Sequence, residues 1–422
     1  MSVLPRHLLP DSAELDGDGW LSIAGCSLRD LAAEHGTPLF VYDEEHLRAR
    51  CREAVAAFPG GVAYATKAFL CTAMARLVYD EGMHLDVATG GELHVALRAG
   101  VPADQLVFHG NNKSEAELTR ALALGVGRVV VDSDDELGRI ERLVGDGAPK
   151  PRVLLRITPG VEAHTHDFVR TGQTDSKFGF PLVEAIADKA IERAAAMDEV
   201  DLVGIHVHIG SQVFVADFFH QAVEVLAPFV NEHALPELSI GGGLGVAYVE
   251  GEEGPTIAQW GASVLAACEE AGITSRVTAE PGRAIAAGAA VTLYTVGTIK
   301  RIPDIRTYVA VDGGMSDNPR PVLYGSGYET FLPRAPYAPR DKVVTVVGKH
   351  CESGDLLVRD AAVPGDLAVG DLLATPVTGA YGHSMGSNYN KVTRPAVVFC
   401  RDGDARLVVR RETEDDLLRF DV

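Results

Sequence analysis

Between about residues 45 and 283, the chain alternates short apolar runs rich in β-branched residues with longer amphipathic stretches. Eight of these runs predict strands, at residues 62–67, 84–89, 106–110, 128–133, 152–158, 202–209, 238–242 and 276–280. The intervening segments, such as 45–58, 114–124 and 215–232, repeat apolar residues every three or four positions, which predicts helices. Strand–helix alternation favours parallel pairing, and eight such units in roughly 240 residues match the size of a (β/α)8 barrel. A doubly wound sheet is the alternative fold.

Beyond the barrel the pattern changes, because turn residues rather than helices separate the strands. These predicted strands lie at residues 291–299, 307–311, 342–347, 356–359, 396–400 and 405–410. Two earlier runs, 20–27 and 38–42, also have the character of strands but precede the first barrel helix, so we assign them to the same β domain. The sequence therefore predicts an N-terminal segment, 1–43, that joins a C-terminal β-sandwich or β-barrel domain, 291–422, with the barrel at 44–290.

Composition and charge narrow the functional class. The chain has 422 residues, of which 46% are hydrophobic and 23% charged, as in a globular protein of about two domains. Its formal charge of −21 disfavours binding to nucleic acids and to anionic membranes. Pro5, Pro10 and Asp11 interrupt any signal-peptide core, and no apolar run approaches a membrane span, so we expect a cytoplasmic protein. The six cysteines form no C-x-x-C pair, which argues against a zinc site or a disulfide framework.

The active site of a (β/α)8 barrel lies at the carboxyl ends of its strands. The predicted strand ends carry a lysine, two imidazoles, a glycine-rich turn and an acid with an arginine: Lys67, His206, His208, residues 241–245, Glu280 and Arg283. Lys67 could be an ordinary surface charge, but partial burial at a barrel mouth would favour the neutral amine that attacks carbonyl groups. The glycine turn does not lead into a helix, as a dinucleotide-binding turn would, but its amides could still bind one phosphate.

Other candidate residues have several interpretations. His206 and His208 are two positions apart on a strand and share a face. They could bind a metal ion, form a structural pair, or pack against a planar ligand; we favour the last because no third metal ligand with suitable spacing is evident. Glu280 could form an ion pair with Arg283. The β domain adds a second polar cluster, which contains Arg320, Tyr324, Cys351, Glu352 and Tyr381. Its cysteine stands in a polar run, which is a poor place for a core residue.

Seven motifs occur in the same order as in one known family, at residues 64–68, 108–113, 206–212, 241–245, 280–283, 351–355 and 379–390. Together they resemble the pyridoxal-phosphate-dependent decarboxylases of the alanine-racemase-like barrel fold, and most closely the diaminopimelate decarboxylase family, over nearly the whole chain. The departures are Thr89, where the family more often has Ser, and the variable stretches at Ser326-Gly327 and His383. These departures concern fine specificity rather than the chemistry.

The resemblance implies pyridoxal 5'-phosphate as cofactor. Lys67 would hold it as a Schiff base, Glu280 would keep its ring nitrogen protonated, and His208 would stack on the ring. The phosphate would be bound by amides, main-chain groups and hydroxyls of Ser211, Gly242, Gly243, Pro281, Gly282, Arg283 and Tyr381. More distant support would come from Asp86, His109 and Arg156. No metal ion is expected.

The resemblance also implies the reaction, which is decarboxylation of meso-2,6-diaminopimelate to L-lysine. Cys351 would return a proton to the α-carbon, and the substrate would be bound by Arg283, Arg320, Tyr324, Glu352 and Tyr381. A homodimer with shared active sites is expected, because loops of the β domain would reach the partner's barrel. A decarboxylase of ornithine, lysine or arginine is the alternative. A racemase would share Lys67 and the phosphate site, and a non-catalytic cofactor carrier would be expected to lack Lys67 or Cys351.

Overall fold

A computed structural model describes residues 3–160, 175–208, 210–214 and 216–422. Its N-terminal elements are β1 (Glu14–Leu15), β2 (Leu21–Ile23), β3 (Cys26–Ser27), α1 (Leu28–His35) and β4 (Leu39–Asp43). The chain divides into two compact units. The β unit comprises Met1–Ala49, Val246–Glu253 and Ile285–Val422, and the barrel unit comprises Arg50–Gly245 and Gly254–Ala284. The sequence pattern did not indicate that Val246–Glu253 belongs with the β unit. The domain boundaries expected after residues 43 and 290 stay a prediction.

The barrel unit is built on a sheet of parallel strands. These are β5 (Ala63–Ala65), β6 (His84–Val87), β7 (Leu106–Phe108), β8 (Arg128–Val131), β9 (Arg152–Thr158), β10 (Phe180–Pro181), β11 (Asp201–Val207), β12 (Glu237–Ser239) and β13 (Arg276–Thr278). They pair in the order β5-β6-β7-β8-β9-β11-β12-β13, and the short β10 pairs with β9. The ring closes where the Ala63 amide donates to the Ala279 carbonyl at 2.9 Å. The (β/α)8 barrel and its eight predicted strands are thus confirmed, and the doubly wound alternative is wrong.

Helices connect the barrel strands, with bounds close to those that the apolar periodicity predicts. They are α2 (Glu44–Ala57), α3 (Thr72–Asp80), α4 (Gly90–Arg98), α5 (Glu115–Leu124), α6 (Asp134–Gly145), α7 (Ile186–Ala196), α8 (Ala216–His233) and α9 (Ile257–Glu270). Ser114 and Glu117 form a reciprocal capping box that starts α5, and Thr256 and Gln259 do the same for α9. None of the helices in the described part of the chain has both the length and the apolar character needed to cross a membrane.

The remaining elements complete the β unit. They are α10 (Arg283–Ala286), β14 (Ala290–Ile302), β15 (Arg306–Val311), α11 (Arg320–Tyr324), β16 (Lys342–Val347), β17 (Leu356–Val363), β18 (Leu372–Pro376), β19 (Ala396–Arg401) and β20 (Asp404–Val409). The larger sheet has the order β17-β16-β15-β14-β4-β19-β20, and β18 pairs with β14. β4 therefore confirms that an N-terminal strand joins the C-terminal β domain. The run at 20–27 instead contributes β2 and β3 to a separate three-stranded sheet with β1.

Several elements of the β unit were not predicted, among them β18 and α11. β18 is a five-residue run that is mostly buried, and so short an apolar run lacks the alternation that identifies a strand. α11 is equally short and contains Pro321, which reads as a helix breaker in a sequence. Proline is nevertheless tolerated in the first turn of a helix, where its missing N–H would have had no partner.

Candidate active site

The carboxylate of Glu280 is the hub of the barrel's polar interior. The residue follows β13, and its side chain is only 7% exposed. Its Oε1 lies 3.2 Å from His109 Nε2 and accepts a hydrogen bond from Ser239 at 3.1 Å. Its Oε2 lies 2.9 Å from His206 Nε2. Because His109, His206 and Ser239 come from three other strand regions, the barrel register alone brings this cluster together. Two imidazoles, rather than the Arg283 expected in one interpretation, therefore flank Glu280.

The charges in this cluster depend on one another. Burial favours the neutral acid of Glu280, but the charge of His109 and the hydrogen bonds from His109 and His206 hold its pKa well below the usual range. Burial also opposes a charged His109, yet the carboxylates of Asp86 and Glu280 raise the pKa of that imidazole. Burial lowers the pKa of His206 and raises that of Asp86 to about 6. At neutral pH the cluster thus holds an ionised Glu280 and a neutral His206.

The glycine turn after β12 has no room for side chains. A Cβ added to Gly241 would lie 2.6 Å from the Val207 carbonyl oxygen, and one added to Gly243 would lie 2.5 Å from that of Gly210. Both glycines also have positive φ angles, +64° and +114°. A Cβ on Gly242 would meet the Glu280 carbonyl oxygen at 2.5 Å. The main chain of the turn therefore packs directly against two neighbouring strand ends.

The expected phosphate-binding residues of the barrel unit lie around this turn. The Gly242 amide donates a hydrogen bond to His208 Nδ1 at 3.3 Å, which fixes the orientation of the partly buried imidazole. Arg283 Nη2 donates to the Ser211 hydroxyl at 3.0 Å. A Cβ on Gly282 would lie 2.9 Å from the Ala65 carbonyl oxygen, so the segment after Glu280 also approaches its neighbour closely. Five of the predicted residues thus share one region of the barrel unit.

Lys67 lies in a short 3-10 turn, Thr66–Ala68, directly after β5. Its side chain is exposed, so the partial burial expected from its position is wrong. Thr66 and Ala68, on either side of it, are buried. Lys67 is nevertheless near the cluster, as its effect on His208 indicates. Burial, and after it the positive charge of Lys67, lower the pKa of His208 well below its usual range.

Two other cations of the barrel unit are buried and paired. Lys113 Nζ donates to Glu136 Oε1 at 2.7 Å and to the carbonyls of Gly110 and Val130. Arg156 is 8% exposed, lies over the ring of Phe178 at 4.2 Å and has its Nε 3.9 Å from Asp132 Oδ1. The amine of Lys113 is therefore buried and held by hydrogen bonds, whereas the side chain of Lys67 is exposed.

The β unit holds the remaining predicted residues. Arg320 is buried at the start of α11, donates to the Tyr328 hydroxyl at 2.7 Å and lies 4.2 Å from the ring of Tyr248. Tyr324, at the end of α11, and Tyr381, with a φ of +60°, are partly buried. Arg320 is thus held rigidly by two aromatic side chains.

Cys351 and Glu352 lie in an exposed turn of the β unit, as the polar run around the cysteine indicates. The Cys351 amide donates to Asn390 Oδ1 at 3.0 Å. Asp355 closes the turn, because its carboxylate accepts from the amides of His350 at 2.9 Å and Met315 at 2.7 Å. Main-chain hydrogen bonds therefore hold the turn while its thiol stays accessible.

Sequence reasoning missed several residues with direct contacts in these clusters, among them Ser239, Tyr248 and Tyr328. Ser239 stands two positions before the glycine turn on β12, and that spacing could have marked it as facing the same side as the turn. Tyr248 and Tyr328 had no such signal, because neither belongs to a recognised motif.

Thr89, a departure from the family pattern, caps α4. Its hydroxyl accepts a hydrogen bond from the Glu92 amide at 3.2 Å, a role that serine shares.

Comparison with known proteins establishes the family. Residues 44–287 match the family described as "Pyridoxal-dependent decarboxylase, pyridoxal binding domain". The diaminopimelate decarboxylase of Mycobacterium tuberculosis is 46% identical over a 445-residue alignment, which covers 99% of this chain and 98% of that protein. The chain belongs to the diaminopimelate decarboxylase family. The resemblance seen in the motifs is therefore confirmed, and pyridoxal phosphate is the cofactor.

Solved structures of this family have the same fold. The diaminopimelate decarboxylase from M. jannaschii, in co-complex with L-lysine, superimposes with a TM-score of 0.90 at 32% identity and covers 98% of both chains. A lysine/ornithine decarboxylase from Vibrio vulnificus, complexed with putrescine, gives a TM-score of 0.75 at 25% identity, covering 89% of this chain and 98% of that one. The chain is thus more similar to this diaminopimelate decarboxylase than to this lysine/ornithine decarboxylase.

The barrel residues fit the cofactor of the family. A buried, ionised carboxylate suits a protonated ring nitrogen, and a turn in which no Cβ fits allows main-chain amides to approach a phosphate. Ligand atoms of His109, His206 and Glu280 also lie within 4.8 Å of one another, a spacing that a metal ion could use. This group does not include His208, the partner that the metal interpretation of the sequence required. Hydrogen bonds to both oxygens of Glu280 account for the arrangement without an ion.

We expect Gly243→Ala to weaken cofactor binding and lower kcat/KM by about a hundredfold, because the new Cβ at 2.5 Å from the Gly210 carbonyl must displace the turn. Cofactor affinity measured by fluorescence, together with steady-state kinetics, checks this. Gly145→Ala is the matched control, since a Cβ there meets nothing within 4 Å. Wild-type affinity in Gly243→Ala would show that the close approach is not required.

Proposed function

We propose that this protein catalyses the pyridoxal-phosphate-dependent decarboxylation of meso-2,6-diaminopimelate to L-lysine and carbon dioxide, the last step of lysine biosynthesis. The observation that carries this proposal is the 46% identity, over 99% of the chain, to a diaminopimelate decarboxylase. The bound L-lysine in the M. jannaschii structure supports it, because L-lysine is the expected product.

The barrel unit would supply the cofactor site. Lys67 would hold the cofactor through its amine, Glu280 would face the ring nitrogen, and His208 would pack on the ring. The phosphate would be bound by Ser211, Gly242 and Gly243, by the main chain at Pro281, Gly282 and Arg283, and by the Tyr381 hydroxyl. When bound, the cofactor supplies an electron sink for the pair of electrons left by the departing carboxylate. The ionised Glu280 would keep a proton on the ring nitrogen and so strengthen that sink.

The β unit would supply the acid and much of the substrate site. The exposed thiol of Cys351 would donate a proton to the α-carbon of the substrate after carbon dioxide leaves. Glu352 would bind the distal ammonium group, and the guanidinium groups of Arg283 and Arg320 would bind the distal carboxylate. Tyr324 and Tyr381 would complete the site.

Other reactions on this fold differ in a measurable way. A racemase would return the proton without releasing carbon dioxide. A decarboxylase of ornithine, lysine or arginine would need to bind only a distal cation, for which one carboxylate is enough. Arg283 and Arg320 favour diaminopimelate, because its distal carboxylate offers both guanidinium groups an anion to bind, whereas ornithine, lysine and arginine carry only a distal cation.

We expect carbon dioxide release from meso-diaminopimelate in preference to lysine, ornithine and arginine. Arg320→Ala should raise KM for diaminopimelate about ten- to a hundredfold, since it removes charge-assisted hydrogen bonds of about 1.5–3 kcal/mol. The visible spectrum of the cofactor should stay unchanged. Kinetics across the four substrates measure both effects.

The control for this experiment is Arg301→Ala, which removes an exposed arginine of β14. It should behave as wild type in KM and in unfolding. Equal efficiency of the wild-type protein on ornithine or lysine would contradict the arginine argument and assign the enzyme to the polyamine-forming branch.

Lys67 is expected to be the covalent attachment point, because it is the exposed lysine next to the Glu280 cluster. Borohydride reduction of the yellow holoenzyme, followed by peptide mapping, should place the pyridoxyl group on Lys67. Lys113 serves as an internal control, because Glu136 and two carbonyls already occupy its amine. A label on Lys113 or Lys177 would refute the assignment.

We also propose a homodimer with shared active sites, in which Cys351 of one chain serves Lys67 of the other. The family resemblance supports this, because it implies that loops of the β domain reach the partner's barrel. Mixing inactive Lys67→Ala and Cys351→Ala chains should restore about a quarter of native sites, because half of randomly paired dimers would be mixed and each of those would hold one intact site. No recovery after proven subunit exchange would mean that each site is built within one chain.

The proposed location is the cytoplasm. All six cysteines of the chain carry reduced thiols, and Cys351 is the one that is exposed. Free thiols are typical of proteins in reducing compartments, whereas secreted proteins usually pair them.

A further inference from the structure

His109 and His206 contact the same carboxylate but differ in their other contacts. His206 Nε2 lies 2.9 Å from Glu280 Oε2. His109 Nε2 lies between two carboxylates, 3.2 Å from Glu280 Oε1 and 3.7 Å from Asp86 Oδ1. The two rings meet edge to face with centroids 4.9 Å apart. The arrangement is therefore asymmetric, with one imidazole facing two acids and the other facing one.

The second nitrogen of His206 argues that this ring is neutral. His206 is 2% exposed, and within the described part of the chain its Nδ1 has no hydrogen-bond partner. A neutral ring with its proton on Nε2 donates to Glu280 and leaves only a lone pair at Nδ1. A charged ring would instead bury an N–H donor without an acceptor, which is the costlier defect. The positive charge opposite Glu280 therefore does not belong on His206.

We propose that His109 is a positioning residue that carries this positive charge, shared between Asp86 and Glu280, and so keeps Glu280 ionised for the ring nitrogen of the cofactor. This inference rests on the proposed pairing of Glu280 with that nitrogen. His109 touches neither substrate nor ring in this assignment and acts through Glu280. The raised pKa of His109, produced by the two carboxylates against the effect of burial, agrees with it.

Other charged groups face this cluster from the neighbouring strand ends. They are Lys67, Glu92, Asp132, Arg156, His206 and His208. Asp132 lies beside Arg156. Burial is the main cause that raises the pKa of Asp86 to about 6. As the pH falls below about 6, Asp86 gains a proton, and His109 keeps Glu280, 3.2 Å away, as its anionic partner. The His109–Glu280 pair is therefore expected to persist into mildly acidic solution.

Histidine nitrogen-15 NMR of the cofactor-free, full-length protein tests the charge directly. At pH 7, His109 should have protons on both nitrogens, and His206 should be neutral with its proton on Nε2. The His109→Asn and His206→Asn variants assign the signals by their loss. A neutral His109, or a doubly protonated His206, would overturn the proposal. The measurement does not depend on activity, and the variants are needed only to assign the signals.

The pH dependence of pyridoxal phosphate binding provides the second test. The wild-type curve contains the titrations of the cofactor itself, so only differences between variants are interpreted. His109→Asn removes the charge but keeps an N–H donor, and the acidic limb of binding should move up by about one to three pH units as Glu280 becomes easier to protonate. His109→Lys should reverse part of this shift. His206→Asn exchanges one neutral donor for another and should move the limb less.

These outcomes distinguish a failure of the inference about His109 from a failure of the proposed function. If His109→Asn binds the cofactor with the wild-type pH dependence, the charge of His109 is not needed and the inference fails. If the wild-type protein does not bind pyridoxal phosphate at any pH, the proposed function fails, while the NMR result still decides the charge of His109.

Discussion

A charge can be buried in a protein only where other groups replace the interactions that it loses with water, and the barrel unit is arranged around this constraint. Glu280 lies between two imidazoles, Lys113 is bonded to Glu136, and Arg156 lies beside Asp132. In each case the partners come from different strands or from the helix after a strand. The register in which the apolar strands pair therefore determines whether these charged side chains meet their partners. A shift in register would leave the charges in the interior without those partners.

Most of the fold could be predicted from the sequence, because each barrel strand is a separate β-branched run and each helix has its own apolar period. The predictions failed where local pattern carries little information. β18 is too short and too uniformly buried to alternate, and α11 has a proline at its second position. Val246–Glu253 lies between barrel strands in the chain but packs with the β unit. Such a placement depends on contacts distant in sequence, which no local pattern encodes.

In the candidate site, too, sequence predicted some features and could not predict others. The rule that active sites lie at strand ends was enough to select Lys67, His208 and Glu280 before any coordinates. It could not show that the Lys67 side chain is exposed, because a strand end fixes the position of the main chain and not the direction of a side chain. Nor could it separate the two imidazoles on Glu280. Their difference depends on distances of 2.9 to 3.7 Å, set by the packing of four strand ends.

β4 has a consequence for the synthesis of the chain. It lies between β14, which pairs with it antiparallel, and β19, which pairs with it parallel. All five of its residues are buried. During translation β4 leaves the ribosome early, whereas β19 follows several hundred residues later, after the whole barrel has emerged. The barrel contains its own core and can fold as it appears, but β4 must wait first for β14 and then for β19 before both of its edges are paired. The middle of this sheet is therefore complete only once β19 has emerged, so the β unit matures later than the barrel.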